Sequence, residues 1–408
     1  MNPVFLSIVL PCLNEARTLA VCIRKAQAYL SSLTARGLEG EVIIADNGST
    51  DGSRQVAASL GARVVEANKL GYGNALRAGI KVARGRYVVM ADSDDSYDLL
   101  ALDAFVSALE DGNDLVIGNR FAGGIERGAM PPLHRYFGNP FLAVVGRLFF
   151  KSPIRDFYCG LRGFDRGAIL GLGLRAPGME FALEMIIKAS IRGLRITEVP
   201  TTLSPDGRDR PPHLKSWRDG WRSLRLYLLM CPRWLFLYPG LGLGLVSGAV
   251  SLVLIYTNVQ VGPVNFAYHS LILTSALTSV GVQSVFFWAF ARCIAVQKGL
   301  LLPDPIFDRL RLILSLERCV ALGAIMIIGG LVAALYALYA WYELAFGEIM
   351  GARLIKFVCG ASVLTVLGFQ LIFSSFLLQL IDQTSEVLDQ ADDEDVNNLL
   401  ESGKILAE

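Results

Sequence analysis

Histidine is scarce in this 408-residue chain, with only His134, His213 and His269. A histidine-built metal site or a Ser-His-Asp triad therefore has little material to draw on, and any metal must accept oxygen ligands. The 7 cysteines, Cys12, Cys22, Cys159, Cys231, Cys293, Cys319 and Cys359, form no C-x-x-C pair. That argues against zinc or a redox dithiol and for reduced, mostly buried thiols. An excess of one charge is missing too: 38 Lys+Arg face 37 Asp+Glu, a net charge of +1. So balanced a surface is a poor match for nucleic-acid phosphates. Charged residues make up only 18% of the chain, against about 25% in soluble proteins. With 53% hydrophobic residues and a mean hydropathy of +0.46, disorder and collagen are excluded and a membrane part is expected. The apolar stretch before Asn14 and Glu15 has no cationic flank, so it is expected to be a first strand rather than a signal peptide.

What is present divides into two halves. From Phe5 to about Val199 short β-rich runs alternate with helical patterns, the order of a parallel sheet covered by helices. Strands are expected at 5–10, 41–45, 63–66, 87–91 and 115–118, with helices near 17–33, 53–60, 74–83 and 99–110. After Pro232 the composition changes. Apolar stretches at 235–256, 271–291, 319–342 and 357–381 each approach the roughly 20 residues that span a bilayer, so four transmembrane helices are expected. The stretch 292–318 carries Arg292, Lys298, Arg309, Arg311 and Arg318, whereas 257–269 has no Lys or Arg. By the positive-inside rule the middle loop and both termini are cytoplasmic. Gly240, Gly244 and Gly248 recur at every fourth residue of the first span and favour close helix packing over a nucleotide loop. The expected organisation is a cytoplasmic catalytic domain at 1–207, a basic amphipathic interfacial segment at 208–234, a membrane domain at 235–381 and an acidic cytoplasmic tail at 382–408.

The polar motifs fall at the carboxyl ends of the strands, where open α/β sheets bind ligands. After the fourth strand comes Asp92-Ser93-Asp94-Asp95. Two carboxylates one residue apart can share a divalent cation that also grips phosphate oxygens, as Mg²⁺ or Mn²⁺ is usually held; the bland alternative is a solvated turn. Gly71-Tyr72-Gly73-Asn74 opens the third helix, where glycines let backbone N–H groups approach an anion, unless the segment is an ordinary capped turn. Arg208, Arg210, His213, Lys215, Arg218, Arg222, Arg225 and Arg233 gather ahead of the first span. Trp217, Trp221, Leu224 and Leu228 share one helix face there, which suits the membrane interface.

Val9-Leu10-Pro11-Cys12-Leu13-Asn14-Glu15, Ala45-Asp46-Asn47-Gly48-Ser49-Thr50-Asp51-Gly52 and Asp92-Ser93-Asp94 together resemble, in order and spacing, the motifs of family 2 glycosyltransferases of the GT-A fold. Leu13 stands where that family has Tyr, and Asn47 where it often has a second Asp. The resemblance narrows to dolichol-phosphate mannose synthases and bacterial polyisoprenyl-phosphate glycosyltransferases. It does so on Ile117-Gly118-Asn119-Arg120-Phe121, on Arg135 with Asn139, on Asp156-Phe157-Tyr158-Cys159-Gly160-Leu161-Arg162, on Met179-Glu180-Phe181 with Glu184-Met185, and on Glu198-Val199-Pro200.

The resemblance implies a mostly parallel, Rossmann-like GT-A domain followed by an interfacial helix and membrane helices. It implies a metal-dependent, inverting transfer from a nucleotide-diphosphate sugar to a polyprenyl phosphate of undecaprenyl or dolichyl type. Pro11, Glu15, Asp46, Gly71, Gly73 and Asp92 would meet the donor nucleotide, and Asp92 and Asp94 would hold Mg²⁺ or Mn²⁺. Arg120, Arg135 and Asn139 would meet the lipid phosphate, with Arg208, Arg210 and Lys215 as further candidates; the choice between Arg208 and Arg210 stays open. Asp92, Asp94, Arg120 and Arg135 would carry catalysis. A bacterial inner-membrane location and a homo-oligomer are further implications. A phosphate with its second pKa near about 6 is already ionised at neutral pH and needs no general base, which accords with the scarcity of histidine. A processive polysaccharide synthase is one rival, but its Q-x-x-R-W motif has only Met230-Cys231-Pro232-Arg233-Trp234 as a counterpart, without the Gln. A non-catalytic nucleotide-binding membrane scaffold is the other, and the presence of both Asp92 and Asp94 argues against it.

Overall fold

The computed structural model describes residues 4–208, 216–257, 259–298, 300–343, 345–347 and 352–401. It divides into two compact units, Met1–Leu229 and Met230–Glu408. The first runs β1 (Leu6–Cys12), α1 (Ala16–Thr34), β2 (Gly40–Asp46), α2 (Ser53–Ser59), β3 (Arg63–Glu66), α3 (Tyr72–Val82), β4 (Tyr87–Met90), α4 (Asp103–Glu110), β5 (Leu115–Asn119) and α5 (Arg120–Gly123). A π-helical turn at His134–Gly138 leads into α6 (Asn139–Phe150), followed by β6 (Arg162–Asp165), α7 (Arg166–Gly171), α8 (Glu180–Ile191), β7 (Ile196–Pro200) and α9 (Ser216–Met230).

The strands form a 7-stranded sheet in the order β3-β2-β1-β4-β6-β5-β7. All pairings are parallel except those of β6, which runs antiparallel between β4 and β5. All seven residues of β1 are buried, as expected of a strand covered on both faces, whose apolar run need not alternate. Helix α1 turns Leu19, Cys22, Ile23, Ala26, Leu30 and Leu33 inward, a stripe at helical spacing that packs on the sheet. The expected α/β sheet is present. Helix α4 starts at Asp103 rather than at residue 99, and the short strands β6 and β7, only 4 and 5 residues long, were not anticipated.

The second unit has a π-helical turn at Arg233–Leu237, α10 (Tyr238–Tyr256), the hairpin β8 (Val259–Val261) and β9 (Val264–Phe266), α11 (Tyr268–Gln297), α12 (Pro305–Ile313), α13 (Leu316–Glu343) and α14 (Ala352–Glu401). Among the described residues, 4 helices are long and apolar enough to cross a membrane: Arg233–Tyr256, Tyr268–Gln297, Leu316–Glu343 and Leu354–Gln383. They coincide with the four expected spans. Exposed Leu245, Leu252, Ile325 and Leu335 give these helices the apolar outer surface that lipid requires. Gly240 and Gly244 of α10 face Gly281 of α11, so the glycine repeat serves close packing. Helix α14 continues beyond its span to Glu401, through the acidic run that begins the tail.

Candidate active site

Three loops at the carboxyl edge of the sheet are stitched together by side chains. Leaving β1, Asn14 adopts a left-handed φ of 57°, which its short polar side chain tolerates. Its N–H donates to Ser49 Oγ at 3.0 Å and its Oδ1 accepts from Thr50 N at 2.7 Å. Glu15 N donates to Ser53 Oγ at 3.0 Å. After β2, the Asp46 carboxylate accepts from Gly48 N at 3.0 Å and Ser49 N at 3.2 Å, and pairs with Arg54 Nε at 2.9 Å. It is 1% exposed, so its direct work is to fold this loop. Asn47 Oδ1 accepts from Gly71 N at 2.7 Å, which ties in the third loop.

That third loop departs from the sequence expectation. Gly73 N and Asn74 N donate to Pro177 O at 2.9 and 3.3 Å. With Gly71 N also engaged, these three N–H groups are not free for an anion. The glycines answer to a close approach instead: a Cβ at Gly71 would lie 2.3 Å from Pro177 O, and one at Gly73 2.3 Å from Ala176 O. What the loop contributes to the acidic cluster is Tyr72, whose hydroxyl donates to Asp92 Oδ1 at 3.0 Å.

The acidic loop after β4 is anchored where it turns. Ser93 Oγ donates to Pro11 O at 2.7 Å, and Asp94 Oδ1 accepts from Ser96 N at 3.1 Å and Ser96 Oγ at 2.6 Å. Arg208 then closes on the acids. Its Nη2 pairs with Glu15 Oε1 at 2.9 Å and its Nη1 with Asp94 Oδ2 at 3.2 Å, while Gly207 N holds Asp94 O at 2.9 Å. Glu15, Asp92, Asp94 and Arg208 thus meet in one place. Burial, reinforced by the adjacent Asp94 charge, lifts Asp92 from the ordinary 3.8 to about 6, against the pull of the Tyr72 hydroxyl, Arg208 and Arg120. Gly160 presses on the same carboxylate, where a Cβ would lie 2.3 Å from Asp92 Oδ2.

These donors suit a hard divalent cation. Two carboxylates in a desolvated, mutually repelling arrangement gain from a shared positive charge, and both present oxygen. Among the described residues no group of three or more His, Cys, Asp or Glu could cage a metal. Mg²⁺ or Mn²⁺ held here would therefore keep open positions for water and phosphate oxygens, as Mg²⁺ prefers.

Arg120 is buried and largely committed. Its Nε and Nη2 meet Asp156 Oδ2 and Oδ1 at 2.7 and 2.8 Å, a bidentate pair. Glu198 Oε1 in turn accepts from Arg155 N and Asp156 N at 2.7 and 2.8 Å, and its Oε2 from Asn119 Nδ2 at 3.0 Å. Arg135 and Asn139 stand elsewhere, on the π-turn and α6: Arg135 Nη1 donates to Ile125 O at 3.3 Å and Asn139 Nδ2 to Met130 Sδ at 3.6 Å. Arg210 and Lys215 lie outside the described residues.

Two features escaped the sequence reading. The sequence pattern marks the glycines beside Tyr72 and not its hydroxyl. An exposed apolar face on the π-turn and α6, formed by Tyr136, Phe137, Phe141, Val144 and Leu148, could have been found from its helical spacing. On α9, Trp217 and Trp221 are exposed, Leu224 and Leu228 partly covered, and Tyr227 packs inward against Phe150 and Phe157.

Comparison with known proteins places these observations. Residues 7–172 match the family described as glycosyl transferase family 2, and residues 289–382 the glycosyltransferase family 2 C-terminal transmembrane region. The chain is 36% identical over 374 residues, 91% of its length and 88% of the relative's, to the low-salt glycan biosynthesis hexosyltransferase Agl6 of Haloferax volcanii. It is 32% identical to a dolichyl-phosphate hexose transferase of the same organism, over 39% of this chain and 68% of that one. Among solved structures, glucosyl-3-phosphoglycerate synthase from Mycobacterium tuberculosis, in complex with Mn²⁺, uridine-diphosphate and glucosyl-3-phosphoglycerate, aligns at 25% identity and a TM-score of 0.43, over 55% of this chain and 77% of that one. With its sheet, its acidic strand-end loop and its apolar spans, the chain belongs to glycosyltransferase family 2 and is an integral membrane enzyme that transfers sugar.

Proposed function

We propose that the enzyme transfers a sugar from a nucleotide-diphosphate sugar to the phosphate of a polyprenyl carrier, at the cytoplasmic face of a plasma membrane. The observation that carries this reading is the meeting of Glu15, Asp92, Asp94 and Arg208 at the sheet edge, with no histidine among them. Such a site gathers charge where a diphosphate would leave, and an already ionised phosphate nucleophile needs no proton removed. The names of two relatives support a polyprenyl acceptor: the dolichyl-phosphate hexose transferase, and a dolichol-phosphate mannosyltransferase of Mycosarcoma maydis that is 24% identical over 48% of this chain and 68% of that one.

Each side chain then has a task. The loop that Asp46 folds and the strand end at Pro11 to Glu15 seat the nucleotide. Asp92 and Asp94 hold Mg²⁺ or Mn²⁺, which when bound supplies positive charge to the departing diphosphate. Tyr72 and Gly160 aim the Asp92 carboxylate. Arg135 and Asn139 receive the acceptor phosphate, helped by Arg208 once the donor has drawn it from Asp94, and Arg120 adds positive charge near Asp92. Attack from the face opposite the leaving diphosphate inverts the anomeric centre.

The exposed faces of α6 and α9 rest on lipid, which brings Arg135 to the level of the headgroups. Arg292, Lys298, Arg309, Arg311 and Arg318 between the second and third spans put that loop on the cytoplasmic side. The test is a screen of nucleotide sugars against the purified full chain with a polyprenyl phosphate and Mg²⁺ or Mn²⁺. Lipid-linked sugar should form with one donor, and Arg135→Ala should raise the acceptor KM while leaving the donor KM unchanged. No product with any donor, or an unchanged acceptor KM, would count against the reading.

A further inference from the structure

We propose that Glu184 and Lys188 of α8 are positioning residues for the donor site, acting as a buried ion pair that fixes the loop 173–178 and, through it, the turn that carries Tyr72. The inference rests on the donor-site reading above and extends it to residues that touch neither donor nor acceptor. Both side chains are nearly sealed, Glu184 at 6% and Lys188 at 5% exposure. Lys188 Nζ meets Glu184 Oε1 at 2.8 Å. A pair buried this way is weak evidence for stability, because apolar replacements are often as stable.

What distinguishes the pair is where its remaining bonding capacity goes. Glu184 Oε2 accepts from Arg175 N at 2.9 Å and Ala176 N at 2.7 Å, and Lys188 Nζ donates to Gly173 O at 2.8 Å. Every one of these partners lies in a single segment without regular secondary structure. Arg77 of α3 adds a bond from Nη1 to Leu174 O at 3.1 Å.

The segment passes that order on. Pro177 O, one residue beyond the pinned Ala176 N, accepts from Gly73 N and Asn74 N. Ala176 O and Pro177 O occupy the space that a side chain at Gly73 or Gly71 would need. The turn between those glycines carries the hydroxyl that holds Asp92 Oδ1 at 3.0 Å. Only a carboxylate at 184 can take both N–H groups while pairing with the ammonium at 188; exchanging the two charges keeps the pair but leaves the N–H groups without an acceptor.

The test uses the full chain in detergent, with UDP and GDP in the presence of Mn²⁺ as binding probes and hydrogen exchange as a ligand-free readout. In Glu184→Ala the amides of Gly73 and Asn74 should exchange faster, and the nucleotide that wild type binds should bind more weakly, each on the order of tenfold, the worth of one charge-assisted hydrogen bond. The amides of 185–189 in α8 should keep their protection. Glu184→Gln retains an acceptor oxygen and should show a smaller loss on both readouts, which keeps the test open should Glu184→Ala fail to fold. The exchanged pair Glu184→Lys with Lys188→Glu should remain defective. Restoration of both readouts by that exchange, or wild-type exchange and affinity in a folded Glu184→Ala protein, would overturn the inference. If wild type binds neither nucleotide, the donor-site reading fails instead, and the exchange at Gly73 and Asn74 still decides whether the pair holds the turn.

Discussion

Asp92→Asn should make the metal-free enzyme more stable at neutral pH while abolishing turnover. Asp92 is held at about 6 rather than its ordinary 3.8, so between those values the folded protein binds a proton that the unfolded chain has released. Stability therefore falls as pH rises through that window: the favourable contribution is complete below the unfolded value and gone above about 6. About two pK units correspond to ~3 kcal/mol, an upper bound because part of the side chain still meets solvent. Asparagine keeps an oxygen to accept from Tyr72 and removes the charge that Asp94 repels. Thermal unfolding of the full chain in detergent, without divalent cation, should give a higher Tm for Asp92→Asn at about pH 7.5 and an equal Tm at about pH 4. Added Mn²⁺ with nucleotide should then stabilise wild type and not the variant. A variant less stable than wild type at neutral pH, or one stabilised equally by Mn²⁺ and nucleotide, would show that Asp92 carries neither the repelled charge nor the cation.

Gly160→Ala places a methyl group 2.3 Å from Asp92 Oδ2, which must turn the carboxylate away from Tyr72. Turnover should fall about a hundredfold, as small misplacements of a reacting group do, with the circular-dichroism spectrum unchanged. Asp156→Ala strips the buried Arg120 of its bidentate partner, and equilibrium unfolding should show a loss of about 3–5 kcal/mol, the usual result of orphaning a buried charge. Arg208→Ala removes the guanidinium that pairs with Glu15 and Asp94. Mn²⁺ should then bind the donor-free protein on the order of tenfold more tightly, because a competing cation has gone; electron paramagnetic resonance titration of free Mn²⁺ would show it, and weaker binding would contradict the ion-pair geometry.

The strongest signals in the sequence were those set by local rules. Seven consecutive buried residues in β1 announce a doubly covered strand, and four long apolar helices announce their solvent. The acidic loop was legible because a parallel sheet must put its strand-end loops on one edge. Illegible were contacts between residues far apart in the chain. Arg120 and Asp156 are 36 positions apart, and no periodicity joins them. Strand β6 is four residues long and antiparallel within an otherwise parallel sheet, so neither length nor alternation marks it. The glycines at 71 and 73 are compatible in sequence with an anion or with a capped turn, because sequence shows that a side chain is absent there and not what fills the space. Here the space is filled by the backbone of the segment 173–178, packed against them.

In the proposed reaction the sugar ends on a phosphate oxygen of a lipid. Phosphorus-31 magnetic resonance of a polyprenyl phosphate, turned over by the full chain with its nucleotide sugar and Mg²⁺, tests this most directly. The lipid monoester signal should give way to a diester signal as nucleoside diphosphate appears, and Asp94→Ala should leave both unchanged. Release of nucleoside diphosphate with the lipid phosphate still a monoester would mean that the sugar goes to a hydroxyl or to water.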